Sequence, residues 1–233
     1  MNTSSSLAPS LKCPAFAPGK RLLALAITVA AYAPLRAQTS AVVHQFSFRV
    51  AEELTTERSR QDHSRNVLSG VSVGTALPEA MVDSIVVDAE RAFTGKLGYP
   101  VKVCWTKGKR GIGAGMFDMA GMLEGLPRNT FKLAKEYCPG ETRFIDLDVN
   151  ISEGGSVSIG EKTKMKPMVT MGYKVLDPEK NTVMEKKVKL KDFGKLRTTT
   201  TWHGPVESVN SETLSAQDIY GMYRQALAEL MSE

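Results

Sequence analysis

The stretch TKMKPMVTMGYKVLDPEKNTVMEKKVKL, residues 163–190, alternates apolar and polar side chains on both sides of a short polar break. Alternation with a period of two sends successive side chains to opposite faces of a strand. Met165, Val169, Met171, Tyr173 and Val175 therefore share one face of a first strand, and Met184, Val188 and Leu190 share one face of a second. Asp177-Pro178-Glu179-Lys180-Asn181 joins them, with proline at the second turn position, so the stretch predicts a β-hairpin with one face in a core. Its other face carries Lys164, Lys166 and Lys174 on the first strand and Lys187, Lys189 and Lys191 on the second. From Glu161 to Arg197 there are 11 basic residues and five acidic ones, a local excess of +6. Such a face can dock an anionic polymer or an acidic protein. Outward lysines also keep a sheet edge from pairing with other chains.

Working back from the hairpin, Phe144 to Ile151 alternates with Asp146, Asp148 and Asn150 on its polar side, and Val42 to Val50 places Val42, His44, Phe46, Phe48 and Val50 on one face. Val67–Gly74 and Tyr99–Trp105 predict two further strands, and Ala51–Asn66 a polar, charge-dense connection or exposed helix. Helical spacing of Val82, Ile85, Val86, Ala89 and Phe93 after Pro78 predicts a helix, and Met116–Leu126 and Arg128–Tyr137 predict two more, separated by Pro127. A last helix starts near Ser215, with Asp218 as its capping-box partner and Ile219, Tyr223, Ala226, Leu227 and Leu230 as its apolar stripe. The order predicts an α+β fold: a mixed sheet of about five to six strands, two to four helices packed mainly on one face, and the C-terminal helix docked on the sheet.

The first 37 residues have the pattern of an export signal: an acid-free n-region with Lys12, Lys20 and Arg21, the apolar run Leu22–Ala33, and Ala37 as a cleavage point. The apolar run has 12 residues, short of the roughly 20 that cross a bilayer as a helix. We therefore expect a secreted or periplasmic protein with no stable membrane span after cleavage. The expected organisation is residues 1–37 as signal, 38–66 as an N-terminal strand and polar connection, and 67–233 as a single α+β domain. The signal holds four basic residues and no acid, which leaves 26 Lys and Arg against 25 Asp and Glu, a net +1 in the remaining chain. A near-neutral chain offers no electrostatic case for nucleic acid. Cys104 and Cys138 remain beyond the signal; an oxidising compartment favours a bridge between them. A βαβ crossover would set them at opposite ends of the sheet, so two separately buried thiols stand as the alternative.

No constellation beyond the signal specifies a reaction. Gly70-Val71-Ser72-Val73-Gly74 matches the nucleophile pattern of serine hydrolases, with Asp192 and His203 as possible partners, but no helix starts directly after Ser72 and the segment reads as an ordinary strand. Gly108, Gly111, Gly113 and Gly115 with Lys107, Lys109 and Arg110 invite an anion-cradle reading, yet the phosphate-loop ending is missing. Asp146, Asp148 and Asn150 with Glu153 offer oxygens to a hard cation but depart from the calcium-loop pattern. Met116, Met119 and Met122 would share a side of a helix and could hold Cu(I), whereas Met165, Met168 and Met171 divide between two faces of a strand and read as packing. His44, His63 and His203 have no ligand partners at metal spacing, and His44 reads as a core histidine. No cofactor is implied.

The export signal and the element order over Val67 to Glu233 resemble small envelope α/β modules, the TolB amino-terminal domain and the penicillin-binding-protein activator LpoB. The chain departs from them in lacking a lipid-acceptor cysteine and propeller repeats. The resemblance implies an accessory, protein-binding role in the envelope and carries over no site residue. The resulting expectation is a non-enzymatic binding module that uses the lysine face of the hairpin against an envelope protein or an anionic envelope polymer. A small serine hydrolase and a methionine-based copper protein are the alternatives.

Overall fold

The computed structural model describes residues 39–55, 76–118, 120–194, 196–202 and 208–232. Residues 1–37, expected as an export signal, Val67–Gly74 with Ser72, and His63, Met119 and His203 lie outside the described residues.

Strand β1 (Ala41–Val50) leads to helix α1 (Glu79–Leu97) and the three-residue β2 (Val101–Val103). Helix α2 (Phe131–Tyr137) precedes the long strands β3 (Arg143–Ile159) and β4 (Lys162–Leu176), and then β5 (Thr182–Leu190). Strands β6 (Thr198–Trp202) and β7 (Ser208–Glu212) and helix α3 (Ala216–Met231) complete the chain. All seven strands join one sheet in the order β2-β1-β3-β4-β6-β7, with β5 also on β4. β1 runs parallel to β2 and β3, while the pairs from β3 onward are antiparallel, so the sheet is mixed and the fold α+β. The far edge of β4 is shared: its Val169–Leu176 half pairs β5 and its Lys162–Met165 end pairs β6.

The main core lies between one sheet face and the helices α1 and α3. Met81, Val82, Ile85, Val86, Ala89 and Phe93 form the buried side of α1, and Ile219, Met222, Tyr223, Ala226, Leu227 and Leu230 that of α3. The α3 start is the capping box that the sequence predicts: the Ser215 hydroxyl accepts from the Asp218 N–H while the Asp218 carboxylate accepts from the Ser215 N–H. Helix α1 runs past Phe93 and closes on Gly98 in the left-handed region, φ 74°. Phe93 meets Tyr173 edge-on at 5.2 Å, and Phe48 lies 5.7 Å from Tyr223, so sheet and helices interlock through aromatic rings.

Three expectations change. A bulge between Val43 and Gln45 reverses the alternation of β1: Ala41 and Val43 join Phe46, Phe48 and Val50 in the main core, and Val42 and His44 turn to the other face. Met116–Leu126 is not a helix. Parallel β2 covers β1 only at Ala41–Val43, and this segment with the adjoining Pro127 supplies the missing partners: the N–H groups of Phe46, Leu123 and Val50 donate to Pro127 O, Phe48 O and Gly121 O at 2.8 Å each. Open ladder groups on a buried strand cost more than the helix propensity of a methionine-rich segment returns. Met184 is 40% exposed instead of core-facing, though its sulfur accepts from the Tyr173 hydroxyl at 3.3 Å.

Tyr223 is fully buried and its hydroxyl donates to Ile85 O at 2.9 Å. Burial pushes its pKa well above the ordinary value, and the charge of Asp88 and the neighbouring Tyr220 add to the rise. An unfolded tyrosine titrates near pH ~10 and the folded one above it, so the folded state holds the proton longer. This contribution is complete below pH ~10 and is lost as pH rises through the folded value. Urea unfolding at pH 8 and pH 11 should show a fall in stability that is shallower in Tyr223→Phe; equal slopes in the two proteins would refute the assignment.

Candidate functional site

The sheet face opposite α1 and α3 is closed at one end and open along the rest. The closed end is a small second core in which Val42, Phe144, Leu176 and Ala134 pack with Phe131 and Tyr137 of α2. Thr130 caps that helix by accepting from the Leu133 N–H. Cys104 and Cys138 form a disulfide here, with Cα atoms 6.1 Å apart. The crossover objection fails because β2 has three residues and α2 seven, so the chain ends its crossover close to where it began.

His44 seals this end. It is 2% exposed, with its ring edge-on to Phe131 and Phe144 at 6.0 Å each. Nδ1 lies 3.0 Å from Asn129 O and Nε2 2.7 Å from the Asp146 carboxylate. The second contact is short but lacks the alignment of a hydrogen bond. Asn129 in turn donates through Nδ2 to Cys104 O at 2.7 Å and accepts from the Thr106 hydroxyl at 2.6 Å. His44 is thus a core histidine whose bulge position places it between two layers.

Beyond His44 the open face is a ladder of cross-strand rows. Asp146 stands opposite Lys174, which stands opposite Glu185; Asp148 stands opposite Gly172, then Lys187; Asn150 stands opposite Thr170, then Lys189. Gly172 has no side chain, and the stem of Lys187 comes within 3.4 Å of where its Cβ would be. The missing side chain leaves an open depression of about 540 Å³ between Asp146 and Asp148 on one side and Glu185 and Lys187 on the other. Lys174 lies 3.8 Å from Glu185, with both side chains more than half exposed. Such a pair contributes at most about 1 kcal/mol.

All six sequence-derived lysines are exposed, but they fall into two environments. Lys174 sits among the acids at the depression. Lys187 and Lys189 flank Gly172 and Thr170, Lys191 follows the end of β5, and Lys166 and Lys164 continue along β4 opposite Gly155 and Val157. The register brings lysines distant in sequence onto one face as a row that steps from β5 to β4, and along each strand its neighbours are about 6.8 Å apart, two residues of strand rise. Among the described residues none of these five lysines has an acid within ion-pair distance. Alternation identified each side chain's face; the acids beside Lys174 came from the β3 register, which sequence reading did not supply.

The other candidates take structural places. Arg110 pairs with Asp83 and, at 3.5 Å, with Glu79, which ties the glycine loop to the start of α1, and Gly115 O accepts from Leu77 N–H at 2.7 Å. Met116 is 62% exposed and the Met122 sulfur accepts from Arg49 Nε at 3.3 Å, so the two do not line one side of a helix. Among the described residues no group of three or more His, Cys, Asp or Glu could hold a metal ion, and no helix is long and apolar enough to cross a membrane.

No protein-family model matches this sequence, and neither does any curated protein. Among solved structures, the chain is similar to a neuraminyllactose-binding hemagglutinin homolog from Helicobacter pylori, with a TM-score of 0.35 and 12% identity over 84% of this chain and 82% of that one.

Proposed function

We propose that this chain is an exported, non-enzymatic binding module of the cell envelope or extracellular space, which takes an anionic partner on the lysine row of the β4–β5 face. The observation that carries the reading is the row itself: Lys187, Lys189, Lys191, Lys166 and Lys164 are exposed, with no acid paired to them among the described residues, in a chain whose net charge beyond residue 37 is only +1 with these lysines included. Concentrated like charge at a surface raises the local concentration of an oppositely charged partner and speeds its encounter. Export is supported by the leader pattern and by the Cys104–Cys138 bridge, which suits an oxidising compartment.

Fluorescently labelled poly-L-glutamate, titrated at low ionic strength, tests this face. The Lys187→Glu, Lys189→Glu, Lys191→Glu triple variant should bind at least tenfold more weakly, and binding of the parent should weaken as salt shortens the screening length to about 8–10 Å. Equal affinity of parent and variant would rule the face out. These positions are exposed, so the variant should retain the parent's unfolding midpoint within about 3–6 °C, each of the three surface changes being worth about 0.5 kcal/mol or less.

A further inference from the structure

We infer that the anionic partner joins the sheet as an extra strand on the free edge of β5, and that it is an extended polypeptide segment with an acidic residue at every second position. The inference rests on the anionic-partner reading above and specifies how that partner is held.

β5 is nine residues long and, among the described residues, pairs with β4 alone. Its outer edge therefore presents main-chain donors and acceptors over most of its length. The edge is held in place from the inner side: Val188 and Leu190 pack on the main core, and Lys186 Nζ donates to Ser232 O at the end of α3. An added strand would have the same rise as β5, so its alternate side chains would stand beside Lys187 and Lys189 on the outer face, with Lys191 next in sequence. The intervening ones would stand beside Val188 and Leu190 on the inner face. Acid at one set of positions and apolar side chains at the other satisfy both. Glu185 and the exposed Val183, on the same outer face nearer the turn, confine the acids to the Lys187–Lys191 end and so specify register. A second copy of β5 is disfavoured at this edge, because each strand carries three lysines, Lys186, Lys187 and Lys189, against one acid, Glu185, so two net-positive strands would lie side by side. Strand addition draws affinity from main-chain bonds and specificity from alternate side chains.

The test uses the disulfide-bonded protein and a capped nine-residue peptide alternating Glu and Val. Two companions are N-methylated, one on every Glu and one on every Val. Alternate residues of a strand direct their N–H groups to opposite edges, so each companion has lost the donors of one edge. The expected result is binding of the parent peptide, loss of at least tenfold in one companion, and near-parent binding in the other. Three peptides that bind alike would overturn strand addition while leaving the lysine row as an electrostatic site. A parent peptide that fails where poly-L-glutamate binds would overturn it too. Failure of both the peptide and poly-L-glutamate would remove the anionic-partner reading itself.

Discussion

Replacing Gly121 with alanine is expected to destabilise the protein by about 3 kcal/mol or more, a fall in the unfolding midpoint on the order of 6–12 °C for a chain of this size. Two costs combine at this position. Gly121 has φ 71°, a region in which an L side chain is strained. A Cβ there would also stand 2.2 Å from Val50 O, a backbone atom that cannot rotate away. Moving the segment to relieve that contact disturbs the 2.8 Å bond from Val50 N–H to Gly121 O, which satisfies the end of β1. Gly160→Ala separates the two terms, since Gly160 has φ 61° and open space around the added Cβ. It should cost only about 1 kcal/mol. Thermal melts in which the two variants fall equally would show that the Val50 contact is not a constraint.

The second large effect belongs to the disulfide. Cys104 and Cys138 are 34 residues apart, and closing a loop of that length lowers the entropy of the unfolded chain by an amount worth roughly 4 kcal/mol. The Cys104→Ala, Cys138→Ala double variant should therefore melt on the order of 8–15 °C lower than the oxidised protein. Loosening should reach beyond the bridge. Asn129 bonds the Cys104 carbonyl and presents its own carbonyl to His44, whose other nitrogen lies against Asp146 at the edge of the depression. Amide exchange in α2 and around His44 should rise before exchange in α3, which packs in the other core. A reductant that leaves the midpoint unchanged would show that the bridge contributes nothing to stability.

The same comparison of elements separates what was legible in the chain from what was not. β3, β4 and the helices α1 and α3 follow their apolar periodicity closely, because each buries one side against a large core and period alone identifies that side, whereas β5 follows it only at the half-buried Val188 and Leu190. The Ser215–Asp218 cap was legible for the same reason: its partners are three residues apart. The threonine run that becomes β6 has no apolar face to read; it is a strand because the Lys162–Met165 end of β4 offers it an unpaired edge. The lysine face was legible lysine by lysine, yet only pairing shows that Lys174 sits between Asp146 and Glu185, that Lys187 shares the rim of the same depression without an ion pair, and that Lys189 stands in a row with Thr170 and Asn150.

What the sequence determined by itself is a set of local choices: the hairpin strands, β1 and β3, the helices α1 and α3 with their starts, and which side of the hairpin carries lysine. Tertiary structure decided the rest. One extra residue at the β1 bulge moved His44 from the main core to the second one, and the open edge of β1 drew Met116–Leu126 out of a helix. The short β2 and α2 brought two cysteines within bridging distance, and the antiparallel register of β4 and β5 assembled the lysine row. The division has a physical cause: periodicity records which side of a segment is buried, whereas bulges, edges and registers are settled by hydrogen-bond partners distant in the chain.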